Sequence, residues 1–244
     1  MKIMILGSGG IGGYFGSRLA AISDEIHFIA RGKHLDAMRN NGLYVTSSLG
    51  NKHIQNINVT DCMSYCGIAD VIFVAVKLYD TVAAAEAIRP AVGSNTTLVS
   101  FQNGISGSDI LTDIFGRERV IGGSSSIAVR ILKPGVVEHT GSMALLTFGE
   151  WDAKPRSRTK DLYDLCIKAN INTKLSKNIN IVIWSKFTFL AAFSGVTSVF
   201  RQSIGPILKN AEKRSLFQSA LEETFLIARS SGINLSDDLV EKRL

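Results

Sequence analysis

Cysteine and histidine are scarce in this chain of 244 residues, and long apolar runs are missing. Cys62, Cys66 and Cys166 form neither an even set nor a CxxC pair, which argues against a disulfide scaffold and fits a reduced, cytoplasmic setting. His27, His34, His53 and His139 lie far apart with no helical pairing, so no metal site is expected. No apolar run approaches the roughly 18 residues of a membrane-crossing helix; stretches such as Val71–Val76 have the length of strands. The opening Met1-Lys2-Ile3-Met4-Ile5-Leu6-Gly7 reaches glycine too early for a signal peptide. Internal repeats and low-complexity segments are also missing.

What is there is the composition of a folded globular protein, 45% hydrophobic and 20% charged. The length allows one large domain, or one domain and part of a second. The net charge of +6 is unevenly placed. Residues 1–150 hold 12 Lys/Arg against 12 Asp/Glu, whereas residues 151–244 hold 15 against 9. These surplus cations stand singly among apolar positions, so nucleic acid is not an expected partner. An anionic small molecule, or a detached acidic segment, explains them better.

Short apolar runs alternate with helical patterns through the first part. Lys2–Leu6 reads as a buried strand, Gly10–Ile22 as a helix and Glu25–Ala30 as a second strand. Val71–Val76 and Thr97–Phe101 repeat the apolar run on either side of an alanine-rich helix, Thr81–Ile88, ended by Pro90. This alternation predicts a parallel sheet with helices on both faces. Val120–Ser124, Gly135–His139 and Ala144–Phe148 look like further strands, with a turn at Pro134-Gly135. After Trp151 come an amphipathic helix, Arg158–Ala169, and a short strand, Asn172–Leu175. From Asn178 the chain reads helical, as Ile179–Val199 and Lys209–Ser230, with Gly232 suited to the stop. The domain boundary falls near residue 176. Ser236-Asp237-Asp238 has the capping hydroxyl and acids of a helix start. Only six residues follow, and the expectation is that the helical part is truncated.

Gly7-Ser8-Gly9-Gly10-Ile11-Gly12 matches G-x-G-x-x-G between a predicted strand and a predicted helix. In a dinucleotide site Gly7 permits the tight turn, Gly9 lets the backbone approach the pyrophosphate, and Gly12 lets helix and strand pack closely. The phosphates then lie at the helix N-terminus, where free N–H groups and the dipole favour negative charge. The end of the second strand selects the cofactor. NAD sites usually carry an acid there, but this chain has Ala30-Arg31-Gly32-Lys33. Arg31 suits a 2′-phosphate and Lys33 adds to the field, which favours NADPH; the alternative is a solvated loop charge. The expected architecture is α/β: an N-terminal Rossmann-type doubly wound parallel sheet (1–176, binding NADP), then an all-helical C-terminal domain (177–244, for substrate or dimerisation).

Together MKIMILGSGGIGGYFGSRLA, VAVKLYDT, SFQNGI and IWSKFTFLAAFSGVT resemble the ketopantoate reductases, and the resemblance runs from Met1 to the end. It implies NADPH-dependent reduction of the 2-ketone of 2-dehydropantoate to pantoate, a step toward coenzyme A. By motif, Lys186 falls on the family's catalytic lysine. Hydride reaching a ketone carbon leaves charge on oxygen, which a positioned ammonium stabilises and protonates. A plain surface lysine is the alternative, although Trp184, Phe187, Phe189 and Leu190 surround it in sequence. Asn103, after the strand Thr97–Phe101, matches the asparagine that lies against nicotinamide and substrate, though Asn-Gly is also an ordinary turn. Lys77 matches the lysine near cofactor and substrate, and is otherwise a solvated charge. The expected cofactor contacts are therefore Gly7, Ser8, Gly9, Gly10, Ile11, Gly12, Arg31, Lys77 and Asn103; the expected substrate contacts are Asn103, Lys186 and Ser194.

Two departures from the family pattern bear on the substrate. Asparagines that hold the substrate hydroxyl in many members recur one and two turns after the lysine; here those positions are Leu190 and Ser194. The resemblance implies a further helical segment with a substrate-binding serine and an acid, expected beyond Leu244. Rival readings are a β-hydroxyacid dehydrogenase, for which Gly122-Gly123-Ser124-Ser125 is a loose match to the substrate loop, and an NADP-binding protein without chemistry. A small 2-keto acid is the expected partner, a homodimer is admitted, and a membrane is not expected.

Overall fold

The computed structural model describes residues 1–244. From the amino end its elements are β1 (Ile3–Leu6), α1 (Gly10–Ala20), β2 (Ile26–Ile29), α2 (Gly32–Asn41), β3 (Leu43–Ser47), β4 (Lys52–Ile54) and β5 (Asn58–Thr60). Next come β6 (Ala69–Val74), α3 (Thr81–Ile88), β7 (Val92–Ser100), α4 (Gly107–Phe115), β8 (Val120–Lys133) and β9 (Val136–Gly149). Then follow α5 (Ser157–Lys168), β10 (Asn172–Leu175), α6 (Ile179–Phe200), α7 (Ile204–Lys209) and α8 (Ala211–Ser230).

The chain forms two compact units, Met1–Ile179 and Asn180–Leu244. The first holds a ten-stranded sheet in the order β4-β3-β9-β8-β7-β6-β1-β2-β5, with β10 beside β9. Every pairing from β5 through β8 is parallel. Period two explains why β1 is apolar at every position. Ile3 and Ile5 pack on one face with Phe28, Phe73 and Val99 of the sheet and Tyr14, Phe15 and Leu19 of α1. Met4 and Leu6 pack on the other with Ile72, Val74 and Leu98, under Ala85 and Ile88 of α3 and Leu111 of α4. A strand covered on both faces loses the alternation of a half-exposed one. This is the doubly wound Rossmann-type architecture.

Several local expectations needed adjustment. The three short strands expected after residue 120 are parts of two 14-residue strands, β8 and β9, paired as one antiparallel hairpin. Its outer half runs past the core, so Ile131 and Leu132 are exposed and burial lapses where the backbone pairing does not. Pro134-Gly135 does make the turn, with Gly135 at φ 75°. The helix expected over Lys209–Ser230 is broken at Asn210, whose extended backbone lets its Oδ1 accept the N–H of Lys213 at 3.0 Å and start α8. No α-helix starts at Ser236. Its hydroxyl meets Asp238 Oδ1 at 2.5 Å, and the segment forms turns and a single 3₁₀ turn, Glu241–Arg243.

The second unit is helical. Ile181, Trp184, Thr188, Ala192 and Val196 form one stripe of α6. Trp184 and Ile181 pack with Phe225, Ala228 and Leu235, while Ala192 and Val196 pack with Ile207, Phe217 and Leu221. By length and composition alone α6 could cross a membrane, a property the missing long apolar run concealed. Asn180, Ser185, Lys186, Thr188 and Ser194 interrupt it.

Candidate active site

Four adjacent strands end at one level. Ser100 pairs with Val74, Val74 with Leu6, and Leu6 with Ile29, so β7, β6, β1 and β2 finish in a single row. Immediately beyond it stand Asn103, Lys77, the Gly7–Gly12 turn and Arg31. Four segments distant in sequence thus share one edge, the carboxyl end at which open α/β sheets bind ligands.

The glycine turn has a steric logic. Gly7 sits at φ 94°, and a Cβ there would lie 2.6 Å from the Val76 nitrogen. A Cβ on Gly12 would collide with the Gly7 carbonyl and lie 2.8 Å from Ile5 Cγ2. Gly9 differs: a Cβ there would meet nothing nearer than Ile131 Cδ1 at 3.8 Å. The protein's own packing therefore demands glycine at 7 and 12, whereas Gly9 borders open space. Helix α1 starts with no side-chain cap and no acid in its first turn, so the N–H groups of Gly10, Ile11 and Gly12 have no intrahelical acceptor. These features fit a pyrophosphate. Ser8 is placed differently from its neighbours. It is buried, and its N–H and hydroxyl both donate to the Ile29 carbonyl, at 3.1 and 2.9 Å, so it ties the turn to β2.

Arg31 is the N-cap residue of α2 and its guanidinium is exposed; Lys33 is exposed in the same first turn. Arg31 Nη2 lies 3.5 Å from Asp80 Oδ2. Lys77 is exposed just beyond β6, and Asn103 is exposed just beyond β7.

Three residues that the motifs did not single out hold these groups in place. Buried Gln102 donates to the Val76 carbonyl at 2.9 Å and to Thr81 Oγ1 at 2.7 Å, and accepts from Ser100 Oγ at 2.9 Å. It joins the segment bearing Asn103 to the segment bearing Lys77. The second, Thr81, passes its own proton to the Leu78 carbonyl at 2.7 Å. The third, His34, accepts the N–H of Gly135 at Nδ1, 3.1 Å away, so its proton is on Nε2, which lies 2.8 Å from the Ser8 carbonyl. It joins the glycine turn to the hairpin tip. Only the QN pair in SFQNGI hinted at such a network, because a buried amide needs partners on several segments at once.

In the helical unit Lys186, Leu190 and Ser194 are spaced by four on α6. At 100° per residue their stripe lies opposite the one that packs on α7 and α8. Lys186 is half-buried, and burial pushes its ammonium down to about 8. Ser194 is exposed. A lysine so placed can release a proton near neutral pH far more readily than a solvated one.

A cavity of about 980 Å³ lies elsewhere, at the amino ends of β7 and β8, with Arg117, Trp151, Arg156 and Arg158 in its wall. Its charges are paired: the buried Glu150 carboxylate meets Arg158 at 2.6 Å and Arg156 at 3.1 Å. This is a clamp between the end of β9 and α5, away from the candidate site.

Comparison with known proteins bears on the family and the fold. Residues 3–153 match the family described as "Ketopantoate reductase PanE/ApbA", and residues 178–244 match its C-terminal counterpart. An uncharacterized oxidoreductase of Bacillus subtilis (strain 168) is 28% identical over 242 residues, 99% of this chain and 79% of its own length. The 2-dehydropantoate 2-reductase of Pyrococcus horikoshii is 28% identical over 234 residues, 96% of this chain and 75% of its own. The crystal structure of 2-dehydropantoate 2-reductase from Porphyromonas gingivalis W83 superimposes with a TM-score of 0.91 at 28% identity, covering 100% of this chain and 86% of that one. A D-mandelate dehydrogenase solved with NADH and anilino(oxo)acetate shares the fold, with a TM-score of 0.89 at 20% identity over 100% of this chain and 79% of that one. With both of its units matched, the chain belongs to the ketopantoate reductase family of oxidoreductases.

Proposed function

We propose that this protein reduces the 2-ketone of 2-dehydropantoate to pantoate with NADPH. The observation that carries the reading is the in-register row of strand ends, which presents the glycine turn, Arg31, Lys77 and Asn103 along one edge. The open space at Gly9 and the uncapped N-terminus of α1 suit a pyrophosphate, and Arg31 with Lys33 suits a 2′-phosphate. The nicotinamide would supply a hydride to the ketone carbon. Lys186 then neutralises the developing alkoxide and gives it the proton that completes the alcohol. Its lowered pKa matches that task, since an acid works best when its pKa is near the working pH. Asn103 and Lys77 orient the carbonyl and the carboxylate through neutral and charged hydrogen bonds.

Ser194 is the exposed hydroxyl two turns beyond Lys186 on its stripe and could hold a substrate hydroxyl, whereas Leu190 between them has no donor. That supports a second reading: reduction of another 2-keto acid, one with an apolar group where 2-dehydropantoate carries its hydroxyl. The two are separated by following loss of NADPH absorbance with 2-dehydropantoate and with 2-keto acids lacking the hydroxyl. Highest kcat/KM on 2-dehydropantoate supports the first reading, and preference for an unhydroxylated acid replaces it with the second. Binding of NADPH without turnover on any acid contradicts both.

A further inference from the structure

We infer that Asp80 is a specificity-determining residue that restrains the preference for NADPH by competing for Arg31; the inference rests on the cofactor reading above. Arg31 follows β2 and Asp80 follows β6, the two strands that flank β1. The contact between Arg31 Nη2 and Asp80 Oδ2, at 3.5 Å, therefore crosses the carboxyl end of β1, where the glycine turn begins. Strand neighbours lie about 4.8 Å apart, so a span from β2 to β6 needs the reach of an extended arginine. Asp80 thus holds the guanidinium across the crevice and not out over α2.

Charge decides the consequence. An arginine that reads a 2′-phosphate must give its fork of donors to that phosphate. In this chain one of those donors, Nη2, already faces a carboxylate at 3.5 Å, fixed where the 3₁₀ turn Leu78–Asp80 meets α3 by the 2.9 Å bond from the Asp80 N–H to the Lys77 carbonyl. A 2′-phosphate must draw Arg31 away from Asp80 and also accept a negative neighbour. A ribose with a free 2′-hydroxyl requires neither. The pair is exposed, 74% at Arg31 and 37% at Asp80, so it yields readily and its effect is graded. Asp80 accordingly narrows the gap between the two cofactors that Arg31 opens.

The test is the affinity of the whole chain for NADPH, NADH, 2′,5′-ADP and 5′-AMP by isothermal titration, in the wild type and in Asp80→Asn, Arg31→Ala and the double variant. Asp80→Asn is expected to tighten NADPH and 2′,5′-ADP by about three- to tenfold, the scale of one exposed charge interaction, and to leave NADH and 5′-AMP within about twofold. In the Arg31→Ala background that gain should vanish. Unchanged or weaker NADPH binding by Asp80→Asn overturns the inference, as does a gain of the same size without Arg31. Loss of NADPH preference in Arg31→Ala upholds the cofactor reading whatever Asp80 does. A wild type that binds NADH and not NADPH removes that reading itself, so the two failures are distinguishable.

Discussion

The side-chain amide of Gln102 donates to the Val76 carbonyl at 2.9 Å, tying the end of β7 to the residue before Lys77. The same amide reaches Thr81 Oγ1 at 2.7 Å, so one buried side chain fixes the separation of the two strand ends that present Asn103 and Lys77. Gln102→Leu keeps the volume and leaves the Val76 carbonyl and the Ser100 hydroxyl without their partner. It should destabilise the fold by about 1–3 kcal/mol. Turnover should fall through kcat more than through KM for NADPH, because the glycine turn and Arg31 are untouched. Thermal melting and steady-state kinetics check both parts, and an unchanged kcat in a folded variant would refute the positioning role.

Glycines 9 and 12 should separate binding from folding. Gly12→Ala drives a methyl into the Gly7 carbonyl, so its melting temperature should drop with or without cofactor. Gly9→Ala meets open space, so the free protein should melt as the wild type does while NADPH affinity falls at least tenfold. Equal affinity in Gly9→Ala would show that no phosphate approaches that backbone.

Arg31→Ala should weaken NADPH more than NADH by about 1–3 kcal/mol, the scale of a charged hydrogen bond. Equal loss for both cofactors, measured by titration, would show that Arg31 does not read the 2′-phosphate.

The glycine turn and the Thr81–Ile88 helix were legible in the sequence because each has a local cause: a steric demand, and an alanine-rich run closed by proline. The hairpin β8–β9 was read as fragments, since its outer residues pair through the backbone beyond the core, with register shifts at Ile127/Ala128 and Ile131/Lys133. Asp80 and His34 carried no signal as site residues, and Gln102 only the hint of its place beside Asn103. Their roles come from partners 49, 101 and 26 residues away, and spacing along the chain does not encode such contacts.

Lys186 should impose a pH dependence in the alkaline range. With this ammonium as the proposed proton donor and burial lowering it to about 8, turnover in the reductive direction should fall about tenfold per pH unit above that value. Stability should move the other way. Between about 8 and the ordinary 10.5 the unfolded chain holds a proton that the folded chain has released, so this group makes stability rise with pH through that window. A pH–rate profile flat from 7 to 10 would contradict the assignment.

Replacement of Lys186 by methionine tests the account most directly, because it keeps the apolar stem and removes the charge. With saturating NADPH and 2-dehydropantoate, kcat of Lys186→Met should fall by roughly 10²–10⁴-fold, the usual contribution of one positioned acid. The melting temperature at pH 7 should hold or rise, since a desolvated cation is gone, and NADPH affinity should stay within about twofold. Near-normal turnover in this variant would contradict the central claim that Lys186 gives the proton.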